Sequence, residues 1–170
     1  VSFSANGKKL VTASKDGTAK VWDAATGNLL ADLRSHTYNS RAAAFSPANL
    51  EDPVGGKKLL TASDDGSVKI WDPATGTLIK VYNRPVKNLF SVKYSTDGKK
   101  IVSGSQDGTV LVWDAATGKP NIIDQSSSVH IDPTSEVDME NVTRLVPPEI
   151  NPDGTKLLIA IQSGPVKVVD

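Results

Sequence analysis

The eight residues Lys20-Val21-Trp22-Asp23-Ala24-Ala25-Thr26-Gly27 return as Lys69-Ile70-Trp71-Asp72-Pro73-Ala74-Thr75-Gly76, and again as Leu111-Val112-Trp113-Asp114-Ala115-Ala116-Thr117-Gly118. A chain that repeats itself builds copies of one small unit that must stack to bury their apolar faces, so the repeat decides the architecture before any residue is given a role. The tryptophans stand 49 and 42 residues apart, and a weaker fourth copy ends 56 residues further on, at Val169-Asp170. A period of about 40 to 45 residues accommodates four short strands. In the second unit the link from Ser46 to Lys57 replaces the short one from Ser4 to Lys8 and supplies the extra seven residues, which makes Pro47 to Gly56 an enlarged turn. The surplus of the last interval lies between Gly118 and Ile150, among Ser126-Ser127-Ser128, Asp132-Pro133 and Pro147-Pro148, and reads as a loop inserted over residues 119–145.

Each unit carries plain strand and turn signals. Ser91-Val92-Lys93-Tyr94 alternates, Thr96-Asp97-Gly98 turns it, Lys100 to Ser105 forms the next strand, and Gln106-Asp107-Gly108 turns into Thr109 to Trp113. An Asp-Gly pair between apolar runs is a hairpin signal because glycine supplies positive φ without steric cost. Asp16-Gly17, Asp65-Gly66 and Asp107-Gly108 occupy this place in the three units, and a third turn at Ala-Thr-Gly leads to an outer strand such as Leu29 to Leu33 or Leu78 to Tyr82. The expected fold is all-β, with units at about 1–41, 42–88, 89–124 and 145–170, each a four-stranded antiparallel sheet except the last, which stops short of its outer strand.

The Trp-Asp ends, the Asp-Gly turns and the period together resemble the tryptophan-aspartate, or WD-repeat, family of β-propellers, and the near-identity of the copies is similar to bacterial-type tandem repeats. The resemblance covers nearly the whole chain outside the insertion. It implies blades held by a hydrogen-bonded tetrad of His, Ser or Thr, Asp and Trp, which the second unit matches in full with His36, Thr61, Asp65 and Trp71. The first unit keeps Thr12, Asp16 and Trp22, and the third keeps Ser103, Asp107 and Trp113 with Pro85 at the histidine's place. The fourth has Ile159, Ser163 and Val169 there, which implies apolar packing alone. Propellers have four to eight blades. The chain, opening at Val1 rather than a methionine, is expected to be part of a ring of six to eight blades, with a compact four-bladed ring as the alternative.

His36, Asp65 and Thr61 also have the makings of a base, its orienting acid and a nucleophile. Two of the three recur in units without a histidine, where such chemistry is impossible, so the structural role is expected and no catalytic residue is assigned. Lysine plus arginine and aspartate plus glutamate are equal at 19 each, so no net field draws the chain to nucleic acid or to an anionic membrane. No apolar run approaches the ~18 residues that would span a bilayer. Cysteine is absent, which leaves the compartment open, the cytoplasm being favoured. The insertion holds His130, Asp132, Glu136, Asp138 and Glu140 without the glycine that bends a calcium loop, and no metal or cofactor is expected. Asn141-Val142-Thr143 fits the glycosylation triplet, a pattern common by chance.

By the resemblance, the Asp-Gly turns and the loops entering each innermost strand share one face. The opposite face collects Lys8, Lys9, Lys57, Lys58, Lys99, Lys100 and Lys156, a solvated rim without the arginine and aromatic side chains that nucleic acid would require. On the first face, the family's variable contact positions carry Asn39, Arg41, Asn88, Phe90, Arg144 and Val146, with Lys15, Asp64 and Gln106 beside the turn aspartates. Arginine and aromatic side chains are the usual interface anchors. The expected function is a non-catalytic scaffold presenting these loops to a protein or peptide partner, with further blades of the same or another polypeptide beside it. The alternative is a small-ligand sensor or enzyme using the central channel, although Ala42-Ala43-Ala44-Phe45 and Ser91-Val92-Lys93-Tyr94 offer it little acid, base or nucleophile.

Overall fold

A computed structural model describes residues 1–48, 55–83, 88–106 and 109–124, and the strand residues 149–150, 157–159 and 167–169. All regular structure among them is β. Strands β1 (Ser2–Phe3), β2 (Lys9–Ala13), β3 (Thr18–Asp23) and β4 (Leu29–Arg34) form one antiparallel sheet in chain order. Strands β5 (Ser40–Phe45), β6 (Leu59–Ser63), β7 (Ser67–Trp71) and β8 (Leu78–Asn83) form the second. The third comprises β9 (Leu89–Tyr94), β10 (Lys100–Ser105), β11 (Val110–Asp114) and β12 (Pro120–Asp124). A three-stranded sheet follows, of β13 (Glu149–Ile150), β14 (Leu157–Ile159) and β15 (Lys167–Val169). The four-stranded sheets are propeller blades. The third outer strand, Pro120–Asp124, overlaps the start of the expected insertion, whose residues 125–145 lie outside the described residues.

The apolar core lies between blades, because each sheet is apolar on both faces and can bury them only against its neighbours. One cluster joins Val11, Ala19, Val21, Ala31 and Leu33 of the first blade to Phe45, Leu59 and Trp71 of the second. The other joins Leu60, Ala62, Val68, Ile70 and Tyr82 of the second blade to Leu89, Val92, Ile101, Leu111 and Trp113 of the third. Within β6 the alternation is visible residue by residue: Leu59 faces back and Leu60 forward, and both are fully buried. Each such side chain stabilises the fold by ~1.5–3 kcal/mol relative to exposure.

The Trp-Asp aspartate is spent on its own turn. Asp23 Oδ1 accepts hydrogen bonds from the Ala25 and Thr26 amides at 3.1 and 2.8 Å and from the Thr26 hydroxyl at 2.8 Å. Asp114 repeats the pattern with Ala116 and Thr117. The Thr26 and Thr117 amides and hydroxyls accordingly hold both carboxyls below the usual carboxylate range.

Candidate functional site

In the second blade the expected tetrad is continuous. The Trp71 indole N–H donates to Thr61 Oγ1 at 2.9 Å, Thr61 Oγ1 and His36 Nε2 are 2.7 Å apart, and His36 Nδ1 lies 2.9 Å from Asp65 Oδ2. Burial lowers the His36 pKa more than Asp65 raises it, so the imidazole is neutral, donating from Nδ1 to the carboxylate and accepting the Thr61 proton at Nε2. Burial works to raise the Asp65 carboxyl, but hydrogen bonds from Ser67 and His36 outweigh it and bring it down to about 2. Thr61 is fully buried and the His36 side chain is 1% exposed, so the set has no room for a substrate. Its partners are all used in joining β6, β7 and the segment before β5.

The first blade has the reduced version, with the Trp22 indole donating to Thr12 Oγ1 at 3.0 Å and Asp16 Oδ1 taking the Thr18 amide and hydroxyl at 2.9 and 2.7 Å. In the third, Trp113 donates to Ser103 Oγ at 2.9 Å, while Asp107 and Pro85 lie outside the described residues. Ser163 also lies outside them, and the side chains of Ile159 and Val169 are not described.

The described residues among those singled out for partner contact gather on the rim that carries the Asp-Gly turns. A β-bulge between Ser40 and Ala42 leaves Arg41 opposite no residue of β6. A second bulge, opposite Gly104 and Ser105, does the same for Phe90 in β9. Arg41 and Phe90 are therefore structural equivalents, each re-aimed by the extra residue. Sequence reading began the third blade's first strand at Ser91, because the bulge breaks the alternation that would have extended it to Leu89.

Around Arg41 the geometry is fixed. Its guanidinium lies 2.7 Å from Asp64 Oδ2, its Nε donates to the same carboxylate at 2.9 Å, and Asn39 Nδ2 donates to Asp64 at 2.9 Å. Bonding to Asp64 raises the Arg41 pKa further. Backbone bonds run along the rim: Ser40 N–H to Ser14 C=O, Asp64 N–H to Asn39 C=O, Asn88 N–H to Asp64 C=O and Gln106 N–H to Asn88 C=O, at 3.0 to 3.2 Å. Asn88 takes φ of +58°, a left-handed conformation that asparagine tolerates better than most side chains. Lys15 stands exposed at the turn position equivalent to Asp64 and Gln106. Arg144 and Val146 lie outside the described residues.

Arg41 and Phe90 open onto a cavity of about 530 Å³ bounded by the innermost strands β1, β5 and β9. All three phenylalanines of the chain, Phe3, Phe45 and Phe90, line it together with Tyr94. Phe3 is 62% exposed. Tyr38, 66% exposed on the same rim, was missed by sequence reading because it sits in a link that does not repeat. On the opposite face a second cavity, of about 510 Å³, is lined by Lys9, Lys57 and Asp72 among others. Among the described residues no group of three His, Asp or Glu could hold a metal ion.

A family model described as WD domain, G-beta repeat matches residues 1–23, 27–72 and 76–114. No curated protein matches the chain.

Proposed function

The chain belongs to the WD-repeat family, whose repeats mediate protein–protein interaction, and from that premise we propose that it is a non-catalytic scaffold that grips a peptide segment of a partner at the Arg41–Phe90 rim. The observation that carries this reading is the pair of bulges. They turn two non-repeating side chains, an arginine and a phenylalanine, out of otherwise uniform strands and toward one cavity. Arginine and aromatic residues are the side chains whose truncation most often costs binding energy at interfaces. Arg41 is pre-set by Asp64 and Asn39, so little ordering entropy is lost when a partner arrives. The described lining supplies alanine, valine, phenylalanine and hydroxyl groups, with Arg41 and Lys93 as its charged members, and no histidine or carboxylate to serve as acid or base.

The test is affinity capture from the native source with the wild-type chain beside Arg41→Ala and Phe90→Ala. A partner held by the wild type and weakened at least ~10-fold by both variants, with unchanged thermal midpoints, is the expected result. Arg41 is exposed, so its variant folds whatever Phe90→Ala does. Equal capture by Arg41→Ala would remove the rim from the function.

A further inference from the structure

The innermost strands β1, β5 and β9 set equivalent residues at equal depths along the cavity of Arg41 and Phe90. Ser2 pairs with Val11, Ala44 with Leu60 and Lys93 with Val102, and those three partners hold the same place in β2, β6 and β10. Where the first two blades carry a serine and an alanine, the third carries a lysine. Nearer the rim, Arg41 stands where the third blade has Phe90. Neither cation belongs to the repeat, so neither is explained by the construction of a blade.

The lining around Lys93 is made of small side chains. Ala42, Ala43 and Ala44 of β5 contribute to it, and β9 adds Ser91 and Val92. A lysine at a level where its counterparts are alanine and serine leaves room for a second side chain beside its own. Three of the lining hydroxyls are spent on the scaffold: Ser91 Oγ accepts the Gly104 N–H at 3.2 Å, Ser46 Oγ accepts the Lys58 N–H at 3.1 Å, and Ser95 Oγ donates to Asp97 at 2.6 Å. Asp64 holds Arg41 at the rim, and no described residue of the lining is a carboxylate. A chain without net charge thus has a cavity whose described charges are both positive, and a cleft concentrates such a field.

Given the grip at the Arg41–Phe90 rim, on which this inference rests, we propose that the segment held there is acidic and that one of its aspartate or glutamate side chains enters the cavity to meet Lys93. Lys93 lies three residues below Phe90 along β9, ~10 Å at ~3.3 Å per residue. An extended segment touching both therefore carries its acid about three residues from the side chain that meets Phe90. A carboxylate taken out of water into the cavity needs a counter-charge, which Lys93 supplies. A basic segment would bring a third cation beside two, so the cavity selects by repulsion as well as by attraction.

The test selects a displayed library of random twelve-residue peptides on the wild-type chain. Enriched peptides are synthesised with amidated C-termini, so that only side chains supply carboxylates, and are titrated against the wild type, Lys93→Met, Lys93→Arg, Arg41→Ala and Phe90→Ala. Selection should enrich Asp or Glu, and replacing that residue by Asn or Gln should weaken binding at least ~10-fold. Lys93→Met should weaken the acidic peptide by a similar factor and leave its amide counterpart unchanged, while Lys93→Arg, which keeps the charge, should retain the preference. Peptides that need Arg41 and Phe90 but carry no acid, or an acidic peptide that binds Lys93→Met as tightly as the wild type, would overturn the proposal and leave the rim grip standing. Peptides indifferent to Arg41→Ala and Phe90→Ala, or no enrichment at all, would overturn both.

Discussion

Tyr82 of the second blade stacks on Trp113 of the third, with ring centroids 5.7 Å apart and planes inclined by 14°. The pair belongs to the strip of contact along which one blade's outer strand meets the next blade's tryptophan, and it rigidly couples blades that share no hydrogen-bonded strand pair. Truncating Tyr82→Ala should lower unfolding stability by ~3 kcal/mol or more in urea titration. Tyr82→Phe, which loses only the bond to the Ala115 carbonyl, should cost ~1 kcal/mol. Equal effects of the two variants would mean that the ring contributes nothing beyond its hydroxyl.

Gly27 and Gly118 have the same backbone conformation, φ +72° and +74°, and different neighbours. Alanine at either position is strained by ~1 kcal/mol from the left-handed φ. Gly118→Ala must also displace the stacked Tyr82 ring, adding ~1–3 kcal/mol. Chemical denaturation of both variants should therefore show Gly118→Ala clearly the worse, and equal losses would contradict the close blade contact.

The buried tetrad makes stability fall with acidity in two windows. Folded His36 binds its proton less readily than in the unfolded chain, so stability declines as pH falls below 6.5 toward the lowered folded value. Asp65 adds a second decline between 3.8 and about 2, where the unfolded carboxyl is protonated and the folded one is not. Thermal midpoints across pH should show the first decline in the wild type and its loss in His36→Ala.

Thr61→Val removes the acceptor of a buried indole N–H and should cost ~1–3 kcal/mol. Thr12→Val should cost less than ~1 kcal/mol, because the half-buried Trp22 N–H can turn to water instead. Denaturant midpoints of the two variants compare the same bond in two environments.

Arg41 and Asp64 form a rim ion pair, and Arg41→Ala should change stability by less than ~1 kcal/mol in thermal melts. A larger loss would make Arg41 a structural residue and weaken its use as a reporter of partner contact.

Much of this was legible in the chain. The Asp-Gly turns announced the hairpins because positive φ is a local requirement, and Gly17 and Gly66 adopt +83° and +81° there. The tetrad residues could be named from their repeat, since Thr61 and Trp71 pair through adjacent strands whose register follows from the turn. The bulges at Arg41 and Phe90 could not be read, because a bulge interrupts the alternation that reveals a strand. Tyr38 and Phe3 escaped for a related reason: exposure is a property of what lies opposite, and nothing in a side chain's own sequence states it.

The sequence by itself determined the blade, since strand, turn and tetrad are set by contacts within about 50 residues that repeat at each copy. Only the tertiary structure decided that Arg41 and Phe90 are equivalent and share a cavity, and that Trp22 is half-buried while Trp71 and Trp113 are sealed. Three near-identical motifs end in different environments because burial is conferred by the neighbouring blade, and the motif specifies only its own side of that contact.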